Sequence, residues 1–167
     1  GNYGLTVDLD NRVWVGGYPY GGLMRYDPVL NSWAEAPIAG YLSNGQARGV
    51  AVDGRGSVWI PFHPNGTDGL VARVDADSGA ATGVWQVDDS SGGLANIPTG
   101  VGVDFAGDVW TVNQATSNVS RLHLDPATGD PTPHPVTGDI VDVFPVGANP
   151  YVHSDFTGLG YRRVTRP

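Results

Sequence analysis

The sequence predicts an all-β fold: β-propeller blades of four antiparallel strands, about three and a half blades, open at the ends. Three observations predict it. One eleven-residue stretch is written three times, as Gly4 to Trp14, Gly49 to Trp59 and Gly100 to Trp110, with a degenerate fourth copy from Tyr151 to Tyr161. Repeats near 50 residues belong to arrays and propellers. The composition, with 25 Gly, 13 Pro and five Trp in 167 residues, suits short strands joined by tight turns. No stretch carries a helical period.

Each copy reads as an opening hairpin. In Gly100-Val101-Gly102-Val103-Asp104-Phe105-Ala106-Gly107-Asp108-Val109-Trp110, the first strand is small and would sit innermost, near the axis. Asp104 bonds its own backbone and Gly107 supplies the positive φ of the turn. The Val-Trp pair then sets one large ring between neighbouring blades.

The first unit predicts strands at 2–8, 12–16, 23–26 and 32–38, with a Gly- and Pro-rich loop at 16–22. Pro37 puts the end of the last strand on an edge. The second predicts 48–53, 57–62, a loop at 63–68, then 70–74, a turn at 75–79 and 83–87. The third predicts 100–104, 108–112, a loop around 113–118 and 119–124. Pro131, Pro133 and Pro135 break its fourth strand, so 140–146 is either a replacement strand or an ordered loop. A fourth unit supplies strands at 151–155 and 160–165. The whole chain, 1–167, is a single partial propeller, with blades at about 2–44, 45–96 and 97–146 and a further one starting at 147–167. Open strand edges invite pairing. The expected partners there are the rest of a longer propeller or further copies of the chain.

The net charge is −8; every basic residue is Arg and all acidic residues but Glu35 are Asp. Such a chain repels nucleic acid and anionic membranes, and neither is expected as a partner. The Asp excess reads as turn chemistry. The Lys-free usage resembles bacterial proteins of high-GC genomes. Without cysteine there is no disulfide, thiol catalysis or thiolate metal site. Asn65-Gly66-Thr67 and Asn118-Val119-Ser120 fit the N-glycosylation pattern.

The pattern Gly-Val-x-Val-Asp-x-x-Gly-x-Val-Trp, followed by a third strand ending in a turn such as Asp125-Pro126-Ala127-Thr128-Gly129, resembles the streptogramin B lyase-like and NHL-repeat propellers. The resemblance implies a propeller; for its lyases it implies a metal ion with a catalytic His and acidic residues, and for the related lactonases a divalent metal held by Glu, Asn and Asp near the axis. The Pro-His-Gly openings of those lyases are replaced here by Ala47-Arg48-Gly49 and Pro98-Thr99-Gly100. No catalytic residue is therefore assigned, and the residues themselves specify no cofactor and no metal ligand.

The candidate ligand-binding residues are Tyr18, Tyr20, Arg48, His63, Asn113, Gln114 and His153. Most share loop positions at one mouth, where aromatics and amides suit a carbohydrate or a peptide. His63 is placed in the loop after a second strand, and His153 on the fourth inner strand. His123 and His134 read as ordinary polar or packing residues, because no His pair has a metal-like spacing. The expected function is a non-enzymatic extracellular or cell-envelope (periplasmic) module for binding or assembly. The alternative is a metal-assisted lyase or lactonase.

Overall fold

The computed structural model describes residues 2–18, 22–38, 45–64, 69–87 and 95–152. The described strands form three separate antiparallel sheets and no helix. The first joins β1 (Asn2–Val7), β2 (Val13–Gly17), β3 (Leu23–Asp27) and β4 (Ser32–Ala36) in that order. The second carries β5 (Gly45–Ala47) and β6 (Ala51–Val52), both paired to β7 (Ser57–Pro64), then β8 (Leu70–Asp75) and β9 (Ala81–Gln86). The third runs β10 (Pro98–Val103), β11 (Val109–Asn113), β12 (Asn118–Leu122) and β13 (Val141–Pro145). These are three propeller blades, each a meander with sequence order kept in space.

The repeated Asp closes its hairpin with both carboxylate oxygens. Oδ1 of Asp53 accepts from the backbone N–H of Arg55 and Ser57, while Oδ2 accepts from the Trp59 indole at 2.9 Å. Asp8 does the same for Asp10, Arg12 and Trp14, and Asp104 for Ala106, Gly107, Asp108 and Trp110. Gly56 and Gly107 take the positive φ of this turn; Asn11 takes it in the first copy. One carboxylate thus folds the turn and aims the ring.

The rings fill the seams. Trp14 packs with Val50, Val52 and Val58 of the next blade, and Trp59 with Val101, Val103 and Val109 of the one after. Both are 0% exposed. The matching inner positions of the first blade, Leu5 and Val7, are 55% and 41% exposed because no described blade covers them. Trp110 is only partly buried, against Phe144 and Arg121.

Each inner strand also carries a bulge. Asn2 pairs with Gly17 but Leu5 with Val15; Ala47 pairs with Phe62 but Ala51 with Trp59; Pro98 pairs with Asn113 but Gly100 with Val112. One extra residue on the inner strand frees its ladder locally. Gly4 N–H then donates to Arg48 O at 2.7 Å, and Gly49 N–H to Thr99 O at 2.9 Å, so the blades are stitched at the axis by backbone. A Cβ on Gly49 would lie 2.9 Å from Gly100 Cα. Farther out, arginines latch each blade to the next turn. Arg25 donates to Ala76 O and Asp77 O, and Arg73 to Gly129 O and Asp130.

Several expectations change. The inner strand expected at 48–53 is reduced to β6 at 51–52, because the bulge takes up 48–50; the rest of the inner strand is β5, earlier at 45–47. His63 and Pro64 lie within β7 rather than in a loop, because Gln46 and Gly45 pair with them. Asn113 is likewise the last residue of β11, paired with Asn118. The third blade's fourth strand is the later segment, β13, since the prolines occupy a connecting loop. Tyr151 and Val152, expected in a strand, are outside any; the rest of the fourth unit lies outside the described residues.

Candidate functional site

The bulges deliver a set of side chains to one end of the inner strands. Tyr3, Arg48 and Thr99 each precede the equivalent inner-strand glycine of their blade (Gly4, Gly49 and Gly100), and Tyr18, His63 and Gln114 each stand four residues after the repeated Trp. These two positions differ in every blade, while the Asp and Trp between them do not.

Arg48 and His63 form the centre. Arg48 is 7% exposed and His63 2%. The guanidinium carbon lies 4.3 Å from the Tyr18 ring centroid, and Nη1 lies 3.2 Å from His63 Nε2. Tyr18 in turn packs on Tyr3, with centroids 5.4 Å apart, and the Tyr3 and Tyr151 hydroxyls approach to 2.5 Å. Burial, reinforced by the Arg48 charge, lowers the His63 pKa to about 4. The ring is therefore neutral at pH 7. Arginine can only donate, so His63 Nε2 accepts and the proton sits on Nδ1. Burial, helped by the Tyr3 hydroxyl, raises Tyr151 above the ordinary phenol range.

Among the described residues, two donors here have no acceptor: Arg48 Nε and His63 Nδ1 are buried and make no hydrogen bond. Among the described residues no carboxylate pairs with Arg48. An uncompensated buried cation and an orphan N–H are both costly. The arrangement leaves two buried donors beside the Tyr18 and Tyr3 rings.

Of the other sequence candidates, Asn113 is fully buried. Its amide donates to Asn118 Oδ1 and Ser120 Oγ, each at 2.8 Å, so it braces the β11–β12 turn rather than facing a mouth. The same network buries Asn118 to 1% exposure, which closes that glycosylation triplet to a glycan in the folded chain. Gln114 is half-buried, its backbone N–H donating to Ile97 O at 3.0 Å. Tyr20, His153 and Asn65 lie outside the described residues. The structure thus joins Tyr18, Arg48 and His63, and adds Tyr3 and Tyr151. The signal for Tyr3 was its place beside Gly4, equivalent to Arg48 beside Gly49.

The divalent metal that the resemblance implies does not fit these axial residues. Arg48 brings a positive charge, no described carboxylate answers it, and Arg48 already occupies the one imidazole lone pair that His63 could give a metal. Glu35, the one glutamate, stands on β4 and is exposed. Among the described residues, the only group of His and carboxylate donors spaced for a metal lies elsewhere, at His123, His134 and Asp142.

No protein family and no curated protein matches the sequence. Solved structures do. A catalytically inactive histidine-to-alanine variant of virginiamycin B lyase from Staphylococcus aureus, with quinupristin, superposes with a TM-score of 0.61 at 16% identity, covering 92% of this chain and 44% of that one. The fold is that of a streptogramin lyase-like β-propeller. The extracellular domain of a Bacteroides thetaiotaomicron hybrid two component system matches at TM-score 0.51 and 23% identity, over 74% of this chain and 15% of that one. The aldose sugar dehydrogenase of Streptomyces coelicolor, in its PQQ-bound form, matches at 0.52 and 14%, over 84% and 49%. The chain spans less than half the length of each.

Proposed function

We propose that this chain is a non-enzymatic propeller module of the cell exterior or envelope, and that its axial end binds a carboxylate-bearing ligand. The observation that carries the reading is Arg48: a buried guanidinium without a described carboxylate partner, stacked on Tyr18 and beside the orphan Nδ1–H of His63. A carboxylate would take the free donors, and a charge-assisted pair in a dry site is the strong kind of hydrogen bond. The tyrosine rings would cover the apolar part of a sugar acid or a peptide C-terminus. Neighbours that include extracellular bacterial domains support the location. The uncovered faces at Leu5, Val7 and Trp110 suit the rest of a propeller or a further copy of the chain.

The test is calorimetric titration with galacturonate and with N-acetylglycine, against glucose and N-acetylglycinamide. The acids bind and the neutral analogues do not, and Arg48→Gln removes the difference. Equal binding of acid and neutral analogue, or unchanged binding by Arg48→Gln, overturns the reading. The two acids separate a sugar ligand from a peptide one.

Elimination chemistry is the second reading, supported by the lyase among the structural neighbours and by a neutral imidazole near the axis. It is the weaker reading because Arg48 already occupies the His63 Nε2 lone pair that a general base would use. Turnover of a cyclic ester such as quinupristin, lost in His63→Ala, would favour it over binding alone.

A further inference from the structure

We infer that the outer part of the third blade holds a divalent transition-metal site, best suited to Zn²⁺, formed by His123, His134 and Asp142. One donor atom from each lies within 4.8 Å of the others. The site does not depend on the axial mouth.

His123 is the anchor. It follows β12, is 3% exposed, and is held between two carboxylates. Nδ1 lies 3.2 Å from Asp108 Oδ2, and Nε2 lies 2.8 Å from Asp142 Oδ2. Asp108 is itself fixed, since its Oδ1 accepts from the Leu124 backbone N–H at 2.9 Å. A ring proton bridges the short Asp142 contact as a hydrogen bond; a bound metal would displace that proton and take the Nε2 lone pair, with Asp108 behind Nδ1. A carboxylate behind a ligating imidazole is the arrangement that orients histidine in metal sites.

The loop that carries His134 is pinned to the same residue. His123 N–H donates to Ile140 O, and Thr132 N–H to His123 O. A turn closed by His134 N–H to Asp139 O, at 2.8 Å, presents the second imidazole. Its ring centroid lies 4.4 Å from that of His123.

Charge points the same way. Asp108, Asp139 and Asp142 surround the site, and Arg121 donates to Asp142 at 2.7 Å. Three negative charges against one positive leave a deficit that a divalent ion fills. In the two preceding blades Arg25 and Arg73 reach out to the next turn, whereas Arg121 turns back to the carboxylate of its own blade. Two imidazole nitrogens and one carboxylate favour Zn²⁺ over Mg²⁺ or Ca²⁺, which prefer oxygen. Three protein ligands leave a position open to water or to a ligand. His134 and Asp142 also line a groove of about 450 Å³, beside Arg121, Thr137 and Phe144.

The experiment is titration of the chelator-treated chain with ZnCl₂ by calorimetry, with CaCl₂ and MgCl₂ as comparisons. One Zn²⁺ binds per chain, and neither Ca²⁺ nor Mg²⁺ matches it. His134→Ala, at a partly exposed loop residue, abolishes binding, and Asp108→Asn weakens it by about 10–100-fold. His63→Gln, at the axis, leaves it unchanged. Circular dichroism confirms that each variant is folded. Absence of Zn²⁺ binding, or binding that survives His134→Ala in a folded chain, overturns the inference.

Discussion

The repeated hairpin and the axial end obey opposite rules. At the hairpin, three blades carry the same Asp and Trp, and every polar atom of that Asp has a partner. At the axial end, equivalent positions carry Tyr3, Arg48 and Thr99, or Tyr18, His63 and Gln114, and two buried donors, Arg48 Nε and His63 Nδ1, have no acceptor among the described residues. A local rule that is kept three times builds the fold. A rule broken in one blade, at a cost in stability, marks where binding is expected. The contrast predicts that substitutions at constant positions destabilise, whereas substitutions at variable ones alter binding.

The largest effect is expected at the seams. Trp59→Ala should cost about 3–5 kcal/mol in urea unfolding, because the ring is fully buried between blades. Trp110→Ala should cost less, since that ring is partly exposed. Equal losses would break the link between seam and stability. Gly49→Ala follows, at about 1–3 kcal/mol, because the new Cβ meets the backbone of the next blade.

At the variable positions the sign reverses. Arg48→Leu should raise unfolding stability by about 1 kcal/mol, by removing a buried cation with no described counter-charge. A loss of several kcal/mol there would make Arg48 a structural residue. The smallest effect is a slope with pH. His63 has a folded-state pKa of about 4 against an ordinary 6.5, so the unfolded chain takes up a proton that the folded chain refuses. The contribution is fully present above pH 6.5 and is lost as pH falls towards 4, at up to about 1.4 kcal/mol per pH unit. His63→Asn should flatten stability over that window; an unchanged slope would assign it to other groups.

Much of the fold was legible because it is local. The Asp turn, the positive-φ Gly and the Val-Trp pair lie within eleven residues, so periodicity exposed them. The bulge was not legible. It depends on which carbonyl of the neighbouring blade a glycine meets, as Gly4 meets that of Arg48. That bulge splits the second inner strand and lets β7 run on to include His63, which sequence reasoning had put in a loop. The candidate site was half legible. Tyr18, Arg48 and His63 were named and come together, but Asn113 braces a turn and Tyr3 was passed over. The His123–His134–Asp142 cluster was invisible, since its spacing comes from a folded-back proline loop and not from a strand or helix period.

The central claim, that Arg48 and His63 form a neutral-imidazole acceptor site, is tested most directly by nitrogen NMR of the His63 ring at pH 7. The account predicts a neutral ring with the proton on Nδ1, whose signal moves when galacturonate or N-acetylglycine is added. A charged imidazolium, or a proton on Nε2, would contradict it.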